Sequence, residues 1–309
     1  MQARELIGRM CRRGGAGLLL AATLVCGGGL GSSALGAPPE NAPDDVAFRS
    51  CFKLFQDTLY PEAERSFGEF LTRFTNSTHT ADAILYLARS RLYQSNFNGA
   101  IDLLQKSSTQ AGSLLPDYVF YIGTARYKSG DLTNAMGDFA TVAKENPPSP
   151  LRLEAAYYEA ETHARTGDWP GVVQLLQQTD GPFQLAAGAD AKSEFASLGW
   201  LLLGEALLHE YRPAEGEKVI LGLDPGGLPQ SLLWRYQYLL CRLQLEAGRA
   251  QAALITSTNV LALALEPGRQ AASSFLKGEV LEKLGRTNDA LAVYADNLAD
   301  GQPQDVQWQ

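Results

Sequence analysis

The chain has 309 residues, of which 45% are hydrophobic and 19% charged, and its 34 acidic against 26 basic residues give a formal net charge of −8. That balance argues against nucleic acid as the main partner, because neutralising phosphates takes clustered Lys and Arg. Length alone would allow two domains of about 150 residues each.

Residues 1–36 read as a signal peptide. Arg4, Arg9, Arg12 and Arg13 form a basic start, Gly17 to Val25 form an apolar run, and a tract of small residues follows. Ala34 and Gly36 are small at both places a signal peptidase reads, which predicts cleavage after Gly36. The alternative is an uncleaved signal serving as membrane anchor, although the run is short and glycine-broken for a spanning helix. Val25 before Cys26 argues against lipidation. Losing four arginines and Glu5 leaves 22 basic and 33 acidic residues, net −11, which also argues against an anionic membrane surface.

Residues 37–43 are a proline-rich linker, and residues 44–309 read as helical pairs. The first three pairs are 44–58 with 60–74, 80–94 with 96–107, and 117–129 with 131–145, the last stopped before Pro147. The fourth is 151–166 with 168–178, with Pro170 near the start of its second helix, where proline is tolerated. Residues 178–193 are expected to be a loop on one rim. Pairs five to seven are 194–210 with 213–221, 231–247 with 250–264, and 268–284 with 287–298. Gly301 to Pro303 break the last pair, and no polar capping helix follows. Two explanations stand: the chain is the N-terminal piece of a longer product, or a partner covers that end.

The pairs repeat in register. Taking Ala135 as an anchor, its equivalents are Ala63, Ala100, Val172, Gly216, Ala253 and Ala290, at spacings of 37, 35, 37, 44, 37 and 37 residues along the chain. Twelve before each anchor stands a small residue: Cys51, Ala88, Gly123, Ala160, Gly204, Cys241 or Gly278. Five before it, where the hairpin turns, four copies have glycine: Gly130, Gly167, Gly248 and Gly285. Four after it come Phe67, Leu104, Phe139, Leu176, Ile220, Ser257 and Tyr294. One hairpin cannot bury its own apolar face, so copies must stack beside it.

This pattern resembles the tetratricopeptide repeat (TPR) family, from about Asp44 to the C-terminus. The departures are a tryptophan near the start of the first helix only as Trp200, a closing proline on pattern only as Pro147, and a longer period. Longer repeats of this kind resemble those of exported, periplasmic bacterial members involved in envelope assembly. The resemblance implies an all-α, right-handed α/α superhelical solenoid of about seven hairpins.

Catalytic and metal signatures are missing from the sequence. His79, His163 and His209 lie in different repeats, and there is no HExxH, GxSxG or GxxxxGK[ST]. No metal, cofactor or catalytic residue is predicted. Cys51 and Cys241 share the small-residue slot of repeats one and six and read as buried packing thiols.

What remains is a stripe across copies. Fifteen before the anchors stand Phe48, Leu85, Phe120, Tyr157, Leu201, Tyr238 and Phe275, five of seven aromatic. Eleven before them come Arg89, Glu161 and Arg242 among others, and eight before them Phe55 and Tyr127. Offsets of four and three put these residues on one face of the first helix, read as distinct from the core face. In the TPR family this face lines the concave groove where partners bind. The predicted partner-binding groove is therefore Phe48, Arg89, Phe120, Tyr127, Tyr157, Glu161, Tyr238, Arg242 and Phe275. The competing reading is that these rings only wedge neighbouring first helices together. The paired Lys, Asn and Arg with which some family members clamp a C-terminal carboxylate are missing here.

The expectation is a non-catalytic protein–protein interaction scaffold of the bacterial cell envelope, exported and periplasmic, holding a protein or peptide segment and no nucleic acid. Association with the membrane or the outer-membrane assembly machinery is part of that expectation. The alternatives are the N-terminal interaction part of a larger envelope enzyme, and a homo-oligomeric structural protein joined through the uncapped C-terminal end.

Overall fold

The computed structural model describes residues 42–297. The signal segment, nearly all of the linker and the end from residue 298 lie outside the described residues. Every regular element within them is a helix. The chain divides into two compact units at Leu114.

The first unit holds two hairpins: α1 (Pro43–Gln56) with α2 (Tyr60–Arg73), and α3 (Thr80–Tyr93) with α4 (Phe97–Lys106). Pro43 occupies the first turn of α1, where its missing N–H removes nothing the helix needs. Its core is aromatic: Phe55, Phe67 and Phe70 are buried with Cys51, Ala63 and Ala83 between them.

The second unit holds five hairpins. They are α5 (Leu115–Ser129) with α6 (Leu132–Ala143), α7 (Arg152–Arg165) with α8 (Trp169–Gln177), α10 (Glu194–His209) with α11 (Pro213–Leu221), α12 (Gln230–Glu246) with α13 (Ala250–Leu263), and α14 (Pro267–Lys283) with α15 (Thr287–Asn297). A further helix, α9 (Pro182–Ala189), stands between the second and third of these. Within each unit, every second helix packs on the first helix of its own hairpin and on that of the next. First helices also meet directly, α7 with α10, α10 with α12 and α12 with α14.

The predicted register holds in all seven copies. The anchors Ala63, Ala100, Ala135, Val172, Ala253 and Ala290 are at most 1% exposed, and Gly216 is buried. Every turn residue five before an anchor has a left-handed backbone: Thr58, Ser95, Gly130, Gly167, Tyr211, Gly248 and Gly285, with φ between 57° and 91°. Four copies use glycine, which adopts this conformation without a Cβ penalty.

One position after the turn, the copies split. Asn96, Asp131 and Asp168 cap α4, α6 and α8, their side chains accepting from the N–H groups of Gly99, Asn134 and Gly171. Repeats five to seven have arginine there. Arg212 pairs with Glu215, Arg286 with Asp289, and Arg249 with the buried Glu217.

Residues 178–193, expected as a loop, carry α9 instead. Pro182 starts this helix, and Phe183 and Ala187, four apart, bury one side of it. Phe183 is 1% exposed and meets Trp200 edge-on at 5.1 Å between centroids. The longer spacing between repeats four and five is therefore an inserted helix that packs on α7 and α10.

Candidate functional site

The nine predicted groove residues divide between the two units and differ in burial. Phe48 and Arg89 belong to the first unit. Phe48 is half-buried and stacks on the His79 ring at 4.5 Å. Arg89 is 5% exposed, its guanidinium 4.9 Å from the centre of the Phe55 ring and 5.0 Å from that of Tyr86. It fills the unit's interior and offers a partner almost nothing.

In the second unit, Phe120 is fully buried, with Phe139 and Tyr158 meeting it edge-on. The position fifteen before the anchor is thus a core position in the middle repeats. Leu85, Phe120, Tyr157 and Leu201 are all buried, whereas Tyr238 is half-buried and Phe275 exposed. A face of first helix that meets the neighbouring first helix cannot also be open groove, so the expected separation from the core fails there. The wedging role describes Phe120 and the ring of Tyr157.

The structure does bring together a polar network on the first-helix face of the second unit. Glu161 on α7 accepts hydrogen bonds from two phenols, Tyr127 Oη of α5 at 3.4 Å and Tyr157 Oη of α7 at 3.2 Å. Arg165, one turn beyond Glu161, lays its guanidinium 4.4 Å from the Tyr127 ring centre and donates to the Tyr127 carbonyl at 3.2 Å. Glu205 on α10 pairs with Arg235 on α12 at 2.9 Å. Tyr127, Glu161, Glu205 and Arg235 are all partly open to solvent.

The electrostatics keep the two phenols protonated and Arg235 charged. Burial, and after it the Glu161 charge, raise both the Tyr127 and the Tyr157 phenol above the ordinary value, so both remain hydrogen-bond donors. Burial works against the Arg235 charge, but Glu205, Tyr157 and Glu161 outweigh it and raise its pKa. The face presents the two phenol donors beside Glu161, Glu205, Arg165 and Arg235.

Arg235 and Arg165 escaped the sequence reading. Arg235 stands eighteen before its anchor, the next step of the −15, −11, −8 series toward the helix start, so extending the stripe by three residues finds it. Trp234 beside it stacks on Tyr238 at 4.9 Å and donates to Ser273 Oγ at 3.1 Å.

Farther along, Arg242 on α12 is exposed and lines a cleft of about 320 Å³ with Leu208, His209, Tyr211, Pro213 and Glu246. A larger cleft of about 550 Å³ opens on the second-helix side, walled by Trp200, Val219, Leu223 and Lys218. Among the described residues, no three His, Cys, Asp or Glu side chains converge as metal ligands.

No protein-family model and no curated protein matches the chain. Among solved structures it is similar to a tetratricopeptide repeat protein from Parabacteroides merdae, at 15% identity and TM-score 0.54, over 86% of this chain and 96% of that one. It also aligns with a Rap protein complexed with competence and sporulation factor, at 14% identity and TM-score 0.45, over 82% of this chain and 74% of that one. A third alignment is with Naa15/Naa10 bound to HypK-THB, at 16% identity and TM-score 0.42, over 86% of this chain and 38% of that one. The first likeness speaks to fold, not to activity. With the repeat register and the all-helical hairpins, it makes this a TPR-like, all-α helical solenoid fold.

Proposed function

We propose that the protein is a non-catalytic scaffold that holds a segment of a partner protein on the first-helix face of its second unit. The observation that carries this reading is the network of Tyr127, Tyr157, Glu161, Glu205 and Arg235. Four successive hairpins contribute to it, and its side chains are already fixed in place by one another. Tyrosine and arginine are the residues most often found as interface hot spots. Side chains ordered before the partner arrives lose little further entropy on binding. The mixed charge suits a peptide segment with polar side chains of both signs.

The basic and apolar start of the sequence supports export, which would place the scaffold in the periplasm of a bacterial envelope. An assembly partner at the outer membrane is the narrower form of this reading.

Photo-crosslinking amino acids at positions 161 and 205, with positions 185 and 255 on exposed sites of α9 and α13 as controls, test the surface. The same partner should be captured from 161 and 205 and not from 185 or 255. Capture from the control positions alone would move the binding site off this face.

A further inference from the structure

Repeat five differs from the other copies at the position sixteen before its anchor. It has Trp200 there, where the others have Ala47, Ile84, Val119, Ala156, Gln237 and Ser274. The inserted helix α9 wedges this tryptophan from one side. Phe183 meets the Trp200 ring edge-on, and Phe183 itself fills the space that a Cβ on Gly199 would need. The indole is thus held in one orientation while remaining only half-buried. It lines the cleft of about 550 Å³ on the second-helix side.

The apolar walls of this cleft are Trp200 of α10, Val219 of α11 and Leu223 just beyond it, the last two also half-buried. Gln177 and Lys218, both exposed, add an amide and an ammonium. The charge is one-sided. Helix α11 carries two carboxylates, and each has its own arginine. Glu215 accepts from Arg212 on both oxygens, at 2.8 and 2.6 Å, and the buried Glu217 pairs with Arg249. Among the described residues, Lys218 has no carboxylate within 4.0 Å. The Trp200 indole N–H has no protein acceptor among them either, whereas that of Trp234 donates to Ser273.

We propose that this cleft binds a small amphipathic anion, a planar apolar ring system that stacks on Trp200 against Val219 and Leu223 and sets one carboxylate on Lys218. The volume lies within the range of small-molecule sites, about 300–1,000 Å³, and the lining has their composition, apolar walls with a few polar groups that fix orientation. A flat ring stacks offset on an indole and gains beyond the area it buries. A rigid ring also has few rotations to lose on binding. An exposed ammonium contributes little affinity, so the ring supplies the binding and Lys218 selects the sign of the charge. The site does not depend on the protein-binding face, since none of Tyr127, Glu161 and Arg235 lines the cleft.

The test is a nuclear magnetic resonance titration of the full, nitrogen-15-labelled chain with 2-naphthoate, followed on the indole N–H signals of its four tryptophans. Trp200→Phe and Trp234→Phe assign their signals by removing them. The Trp200 signal should move saturably, with a dissociation constant on the order of 1 mM or below, and the Trp234 signal should stay in place. Uncharged naphthalene-2-carboxamide should bind about three- to fivefold more weakly. Lys218→Glu, an exposed change that leaves the Trp234 signal where it is, should prefer 2-naphthylmethylammonium to 2-naphthoate. Glu161→Lys with Glu205→Lys should titrate like the wild type. A Trp200 signal that does not saturate overturns the proposal, as does equal affinity for the carboxylate and the carboxamide, or an unchanged preference in Lys218→Glu. Loss of the 2-naphthoate response in the folded Glu161→Lys, Glu205→Lys chain also overturns it, and would place the anion on the first-helix face.

Discussion

Gly204 on α10 and Ile220 on α11 fit because one lacks the atom whose place the other fills. A Cβ on Gly204 would stand 2.7 Å from Ile220 Cδ1 and 3.2 Å from Leu239 Cδ2. The same relation recurs sixteen residues apart in repeat three, where a Cβ on Gly123 would lie 3.1 Å from Phe139 Cε1 and 3.0 Å from Asp138 Cβ. The small residue twelve before the anchor and the large one four after it are one packing unit. The expected outcome is that Gly204→Val destabilises the chain by about 1–3 kcal/mol through overpacking. Ile220→Ala in the same chain should recover part of that loss, a coupling that a double-mutant cycle of denaturant melts measures.

The turn glycines make a different demand. A Cβ on Gly248 would meet nothing within 4 Å, yet its φ is 76°. Gly248→Ala should therefore cost about 1 kcal/mol from backbone conformation alone. Urea unfolding of that variant checks it, and Gly68→Ala, where the space is equally open and the backbone helical, should cost nothing or stabilise slightly.

How much of this was legible follows from which residues carry the signal. The register was, because a left-handed turn selects Gly130, Gly167, Gly248 and Gly285, and a close helix contact selects Gly123 and Gly204. Tyr211 hid its turn, since nothing about tyrosine announces a positive φ. Helix α9 was missed because eight residues with Pro182 and Gly188 in them read as loop. Only the Phe183–Ala187 spacing marked a buried side. The binding face was legible in part. Aromatic side chains serve cores and interfaces equally, so Phe120 and Tyr238 look alike in sequence although one is buried and the other half-open. Burial depends on which neighbouring helix lies alongside, and no offset within one repeat contains that.

Glu159 on α7 gives a pH signature. It is 5% exposed, and Lys144 approaches it only to 3.8 Å. Burial raises its pKa, with Lys144 and His163 opposing. The folded state thus binds the proton more tightly than the unfolded chain, and this group's contribution is fully present below the ordinary glutamate pKa. It is lost as pH rises through the raised value. Glu159→Gln should therefore match the wild type in thermal melts near pH 4 and melt higher at pH 7 to 8. Parallel pH profiles of the two proteins would contradict the assignment.

Cys241 should be inert. Its thiol is fully buried, donates to the Ala253 carbonyl at 3.3 Å, and is pushed up to about 12 by burial, with Glu279 adding to the shift. Thiolate is the reactive form, so maleimide labelling of the native chain at pH 7 should leave Cys241 unmodified. Labelling in denaturant should reach it.

The central claim is that the Tyr127–Glu161–Arg235 face holds the partner. Its most direct measurement is calorimetric titration of the crosslinked partner against the wild type, Glu161→Lys with Glu205→Lys, and Ile255→Asp. Circular dichroism must first show that all three are equally helical. The account predicts that the double charge reversal weakens binding at least about tenfold, equivalent to about 1.4 kcal/mol, while Ile255→Asp on the exposed side of α13 binds like the wild type. Full affinity in the folded double reversal, with loss in Ile255→Asp, would contradict it.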